Sequence, residues 1–166
     1  MQQIKLINPE NVSDLEADKY EIRNAARAIV FDENNLVALL HATKYDYYKL
    51  PGGGIEKEET NEIALKRECL EEIGCNVEIV KELGMTIEYR KDFNTKQISY
   101  CYVAKLVGKK GNPKLEPDEA NEGFKTVWFS LKEAIEKVKE SHPKTYVGPY
   151  MVTRDYALLL AAQKII

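Results

Sequence analysis

The chain has 166 residues and a mass of 19.0 kDa, the size of one domain able to bury about 70% of its unfolded surface. With 44% hydrophobic and 31% charged residues, it falls outside the disordered, collagen-like and disulfide-scaffold classes. A net charge of −3 and a pI near 5.6 carry no basic footprint for a nucleic-acid polymer, and no apolar run is long enough for a bilayer.

Residues 1–20 are polar and irregular, and they read as an extension or an extra edge element; their start lacks the apolar centre of a signal peptide. Ala25–Phe31 and Leu36–His41 read as strands. The Asp32-Glu33-Asn34-Asn35 turn between them makes the pair a hairpin. A short strand, Tyr47–Leu50, runs into Pro51-Gly52-Gly53-Gly54, which punctuates the chain and leaves backbone groups free to meet a ligand. A helix is expected from an N-cap at Thr60 to Ile73, stopped by Gly74.

Val77–Val80 and Gly84–Tyr89 are strand candidates. Gln97–Val107 alternates, with Ile98, Tyr100, Tyr102 and Ala104 on one face and Cys101, Val103 and Lys105 on the other. Lys109 and Lys110 read as a solvated turn, and 112–123, rich in acids and holding two prolines, reads as a loop. A strand over Thr126–Phe129 and helices over Leu131–Glu140 and Tyr150–Ile166 complete an α+β chain, or an α/β/α sandwich on a mixed sheet. The three cysteines, Cys69, Cys75 and Cys101, are an odd number without a CxxC pair. They read as packed thiols in a reducing, cytoplasmic setting. His41 and His142 are isolated and read as ordinary strand and loop residues.

The helix over 61–73 carries the chemistry. Leu65, Cys69, Leu70, Ile73 and Ile63 share one side of its wheel, and Glu68, Glu71 and Glu72 lie within an arc of about 100° on the other. Glu68 neighbours Glu71 and Glu72 at i,i+3 and i,i+4, a repulsive arrangement that a hard divalent cation would offset. A plain solvated acidic face fits the wheel equally well.

The spacing goes further. Gly53-x5-Glu59-x7-Arg67-Glu68-Cys69-x-Glu71-Glu72-x-Gly74-Cys75 resembles the signature of the Nudix hydrolases, G-x5-E-x7-R-E-U-x-E-E-x-G-U, where U is a bulky apolar residue. Every fixed identity is present, and a chance match is roughly a few in a million on composition. Both U positions are cysteine, a small hydrophobe that still packs.

The resemblance implies an α/β/α Nudix fold over residues 21–166 and hydrolysis of a nucleoside diphosphate linked to another group. It implies Mg²⁺ or Mn²⁺ held by Glu68, Glu71 and Glu72, with the Gly52 carbonyl as a further ligand. Arg67 and Glu59 resemble the pair that braces the loop against the helix, and Gly53 the tight-loop glycine of the substrate cradle. The base varies in this family: Glu68 is one choice, and a later acid, Glu122 or the competing Glu119, is another. Tyr47 and Tyr48, with Tyr45, lie where relatives place part of the substrate pocket, although packing alone would also explain them.

The resemblance also implies a small-molecule nucleotide substrate and allows a homodimer. The proline marking ADP-ribose hydrolases after the box is missing around Tyr89-Arg90-Lys91, so a nucleoside triphosphate, oxidised ones included, is the leading substrate. ADP-ribose or another nucleotide sugar is the alternative. A nucleotide-binding module without turnover is a third reading, against which the intact glutamates argue.

Overall fold

In a computed structural model describing residues 1–165, β1 (Gln3–Ile7) and a single turn α1 (Asp14–Ala17) precede β2 (Glu21–Phe31), β3 (Val37–Ala42) and β4 (Tyr47–Lys49). Helix α2 (Asn61–Ile73) follows, then β5 (Asn76–Arg90), β6 (Thr95–Val107), α3 (Pro117–Asn121), β7 (Phe124–Phe129), α4 (Leu131–Lys139) and α5 (Gly148–Gln163). The last helix stops at Gln163, short of the expected end at Ile166, which lies outside the described residues. The strands form one mixed sheet in the order β1-β5-β6-β2-β3-β4, with β7 on β3. The pairs β1–β5 and β2–β6 are parallel.

Side chains alternate along β2 and sort the core into two layers. Ala26, Ala28 and Val30 meet Leu65, Cys69 and Ile73 of α2. On the other face, Ile29 and Phe31 meet Ile135 and Val138 of α4 and Leu158 and Leu159 of α5. Burial on both faces is why Ala25–Phe31 reads as an almost unbroken apolar run. The result is a mixed central sheet between helices, an α+β sandwich.

Four expectations change. The β2–β3 hairpin is barely a hairpin, because the strands pair only at Phe31 and Val37. Beyond that point the backbone of 51–55 takes the vacated edge of β2. Ala28 N–H donates to the Pro51 carbonyl (3.1 Å), Ala26 N–H to Gly53 (3.0 Å) and Ile55 N–H to Asn24 (3.1 Å). The glycine segment is thereby fastened to the middle of the sheet.

Second, the two strands expected over 77–89 are one, β5, with register shifts between Ile79 and Lys81 and between Glu82 and Gly84. Bulges keep a strand continuous where its pattern breaks. Third, the 112–123 loop contains α3, started by Pro117 and a capping box between Glu116 and Glu119. Fourth, Ile63 and Leu70 of α2 are 54% and 46% exposed, whereas Glu72 is buried. The packed stripe runs through Leu65, Cys69 and Ile73, and those two residues fall past its edge. Residues 3–7 form the edge strand β1 beside β5.

Candidate active site

Helix α2 is capped where its sequence allows it. Thr60 accepts from Ile63 N–H, and Gly74 ends the helix in the left-handed region at φ 64°. A Cβ at Gly74 would sit 2.6 Å from the Gly111 carbonyl oxygen, so only glycine fits. Gly52 has φ 128°, and a Cβ there would stand 2.1 Å from the Ala26 carbonyl oxygen. The loop can lie on β2 only because these atoms are missing.

Arg67 ties loop to helix. Its Nε and Nη2 donate to the two oxygens of Glu59 (2.8 and 2.9 Å), and Nη2 also reaches the Gly54 carbonyl (3.0 Å). Nη1 donates to Glu68 (2.9 Å) and Glu71 (3.1 Å). The guanidinium holds the Glu59 carboxyl down at about 2, and Glu59 in turn leads in raising Arg67. This two-pronged pairing is the strong form of a charge-assisted hydrogen bond.

Glu72 is almost fully buried. Its oxygens accept from Lys49 Nζ (2.9 Å) and from Gly52 N–H, which joins α2 to the glycine loop. Lys49 also stands 3.6 Å from Glu119. Burial, then the charge of Glu72, pushes Glu68 up. Burial, then the hydrogen bond and charge of Glu72, pushes Glu119 up to about 7. Negative charge is thus in excess on this side of the site.

These groups border a cleft of about 390 Å³. Gly52, Gly53, Arg67, Glu68, Glu71 and Glu72 line it together, and Glu59 braces them from behind through Arg67. Of the two later acids, Glu119 lines the cleft and Glu122 does not. The Glu122 carboxylate accepts from the Tyr47 hydroxyl at 2.5 Å, because helix α3 turns Glu119 inward and leaves Glu122 at its end. Tyr47 and Tyr48 also stay out of the cleft lining. Tyr47 packs edge-on to Phe124, and Tyr48 stacks on His41 at 4.3 Å and meets Phe129. Both tyrosines are thus engaged in aromatic packing. The three cysteines are free and buried, and burial raises each thiol.

Among the cleft residues that the sequence did not single out are Arg23, Arg27, Lys49 and Glu116. A charge inside the apolar run of β2 was the signal for Arg27. Its side chain is only 7% exposed, and burial, then the like charge of Arg154, pushes it down to about 10. Behind the loop, Arg154 Nε donates to Asp155 (2.7 Å), whose second oxygen accepts from Leu50 N–H (2.9 Å). Arg154 also lies 3.4 Å from buried Glu88. The α5 ion pair therefore holds the entrance to the glycine loop.

The donor set of the cleft is oxygen-rich and suits a hard cation such as Mg²⁺. Arg67 and Lys49 engage the α2 glutamates, and among the described residues no three acidic, histidine or cysteine side chains already converge as an ion cage. No helix among the described residues is long and apolar enough to cross a membrane.

The NUDIX domain family model matches residues 21–147. No curated protein matches the chain. A NUDIX hydrolase from Nitrosomonas europaea superposes with TM-score 0.66 at 18% identity, over 87% of this chain and 90% of its own. The MutT protein from Methanosarcina mazei Go1 gives TM-score 0.61 at 17% identity, over 89% and 97%. An ADP-ribose pyrophosphatase from Streptococcus suis 89-1591 gives TM-score 0.54 at 21% identity, over 86% and 92%.

Proposed function

The chain belongs to the Nudix family, and from that premise we propose that it hydrolyses a nucleoside triphosphate, oxidised ones included, to the monophosphate and pyrophosphate. The observation that carries this reading is the gathering of Glu68, Glu71, Glu72 and Glu119 around one cleft beside Gly52 and Gly53. Such a wall opposes a phosphate chain, and bound cations would offset much of that repulsion. Bound Mg²⁺, or Mn²⁺, would neutralise phosphate oxygens and acidify the attacking water. Glu68, Glu71, Glu72 and the Gly52 carbonyl are the groups to hold it.

The remaining work belongs to the chain itself. Glu119 takes the proton of the attacking water, whose oxygen bonds to phosphorus as the anhydride P–O bond breaks and pyrophosphate leaves with the electron pair. Glu68 is the rival base. Arg67 holds Glu68 and Glu71 in place, and Lys49 does so for Glu72. The buried, free thiols go with a reducing, cytoplasmic setting.

ADP-ribose is the second reading, favoured by the name of the Streptococcus suis relative. A turnover screen in Mg²⁺ and then Mn²⁺ separates the two by product. Pyrophosphate from a triphosphate supports the lead reading; two monophosphates from ADP-ribose replace it. Glu119→Gln should lower kcat at least about tenfold, whereas Glu122→Gln should leave it within about twofold. The reverse order would return the base to Glu122. Silence on every substrate with either metal would overturn the hydrolase reading.

A further inference from the structure

Three of the five arginines, Arg67, Arg90 and Arg154, pair with carboxylates. Arg23 and Arg27 are the other two, and among the described residues neither has a carboxylate at ion-pair distance. They lie four residues apart on β2, hence on one face of the strand, and both line the cleft. Arg27 is more than nine-tenths buried. Its Nε has no hydrogen-bond partner among the described residues, and Nη1 makes one long contact, 3.5 Å, to the Ala26 carbonyl.

A buried cation without a counter-charge is costly to keep. The nearby acids do not relieve it by contact. Asp155 is committed to Arg154 and Leu50 N–H, and Glu72 to Lys49 and Gly52 N–H. Arg23, exposed at the mouth, donates to a neutral group, Gln97. Both guanidiniums therefore keep donors for something that enters the cleft.

The glycine loop runs between these arginines and the glutamates. A Cβ on Gly52 would lie 3.0 Å from Arg27 Cα, one on Gly53 2.3 Å from a Glu68 oxygen, and one on Gly54 3.3 Å from Arg23 Nη2. Three consecutive residues, about 3.8 Å apart, thus pass the Arg27 backbone, the acidic wall and the Arg23 guanidinium with no side chain in the way. A chain of phosphates laid along them lies in the cleft that both arginines line.

We propose that Arg27, with Arg23 at the mouth, forms an anion subsite for a phosphate beyond the scissile anhydride, so that the cleft selects a triphosphate chain over a diphosphate ending in a neutral sugar. The guanidinium fork matches phosphate oxygens in pairs. The selectivity rests on the hydrolase reading above, but the subsite itself can be tested without turnover or metal.

The probe is inorganic tripolyphosphate titrated into the full-length protein in EDTA. Wild type should bind it, Arg27→Met should lose about tenfold or more in affinity, and Arg23→Gln should lose less. Arg27→Met should melt at or above the wild-type temperature, since it removes an unpaired buried charge. In Mg²⁺, its KM for a triphosphate should rise while its KM for ADP-ribose stays put.

Equal tripolyphosphate affinity in wild type and both variants overturns the subsite, as does a wild type that ignores tripolyphosphate. A clear fall in the melting temperature of Arg27→Met also overturns it, because Arg27 would then be a structural residue. Tripolyphosphate bound through Arg27 by a protein that hydrolyses no triphosphate would sink the proposed activity and leave the subsite standing.

Discussion

Arg67 and Arg27 face the same cleft and are treated oppositely by the fold. Arg67 is saturated: three carboxylates and a backbone carbonyl take its donors, and all of them come from one stretch of chain, residues 54–71. Arg27 is starved, although Asp155 and Glu72 act on it through space. A guanidinium that is satisfied in the free protein braces structure, since its pairing contributes to stability without a ligand. One left unsatisfied in a buried place costs stability, and a ligand is what repays that cost.

The ion pair behind the basic side offers the largest test. Asp155→Ala strips Arg154 of its nearest partner and leaves Leu50 N–H without its acceptor. Breaking such a buried pair should cost about 3 kcal/mol, a fall of roughly 10 °C in melting temperature. Unchanged melting would mean that α5 merely packs there. On the acidic side, Glu68→Gln and Glu72→Gln should each lower kcat at least about a hundredfold in Mg²⁺. Retention of activity by both would remove the glutamates from the chemistry.

A smaller effect separates the two arginines directly. Arg67→Lys cannot reproduce the two-pronged contact to Glu59 and should lower stability by about 1 kcal/mol, a figure discounted for partial exposure, along with activity. Arg27→Met should not lower stability at all. Equal losses in the two variants would erase the contrast.

The smallest effect is one of pH. The Glu59 carboxyl ionises at about 2 in the folded chain against an ordinary 4.5. Its contribution is therefore complete above the ordinary value and fades as pH falls toward 2. Thermal melts of wild type and Glu59→Gln should differ most at pH 6, and the difference should shrink to a minor fraction by pH 2.5. An undiminished gap at pH 2.5 would mean that shape, not charge, makes the Glu59 contact.

Much of the site is legible along the chain because its parts are close in sequence. The Thr60 cap, the Gly74 stop and the register of Glu59 with Arg67 all follow from spacing on one loop and one helix. The shift of burial toward Glu72, which leaves Ile63 and Leu70 outside, depends on where the sheet meets α2. That Glu119 lines the cleft and Glu122 does not follows from the orientation of α3. Tyr47 and Tyr48 are near the box in sequence but are drawn off by Phe124, His41 and Phe129.

By itself, the sequence determined helix α2 with its caps, the family signature and the α2 glutamates of the cleft, since helix periodicity and capping act over a few residues. Tertiary structure alone decided that the 51–55 backbone would take the edge of β2 and bring Arg23 and Arg27 alongside the glutamates. It also decided that Asp155, far along the chain, would hold Leu50 N–H. Those contacts join residues with no local relation. They follow from the need to pair every buried backbone group and to bury both faces of a single sheet.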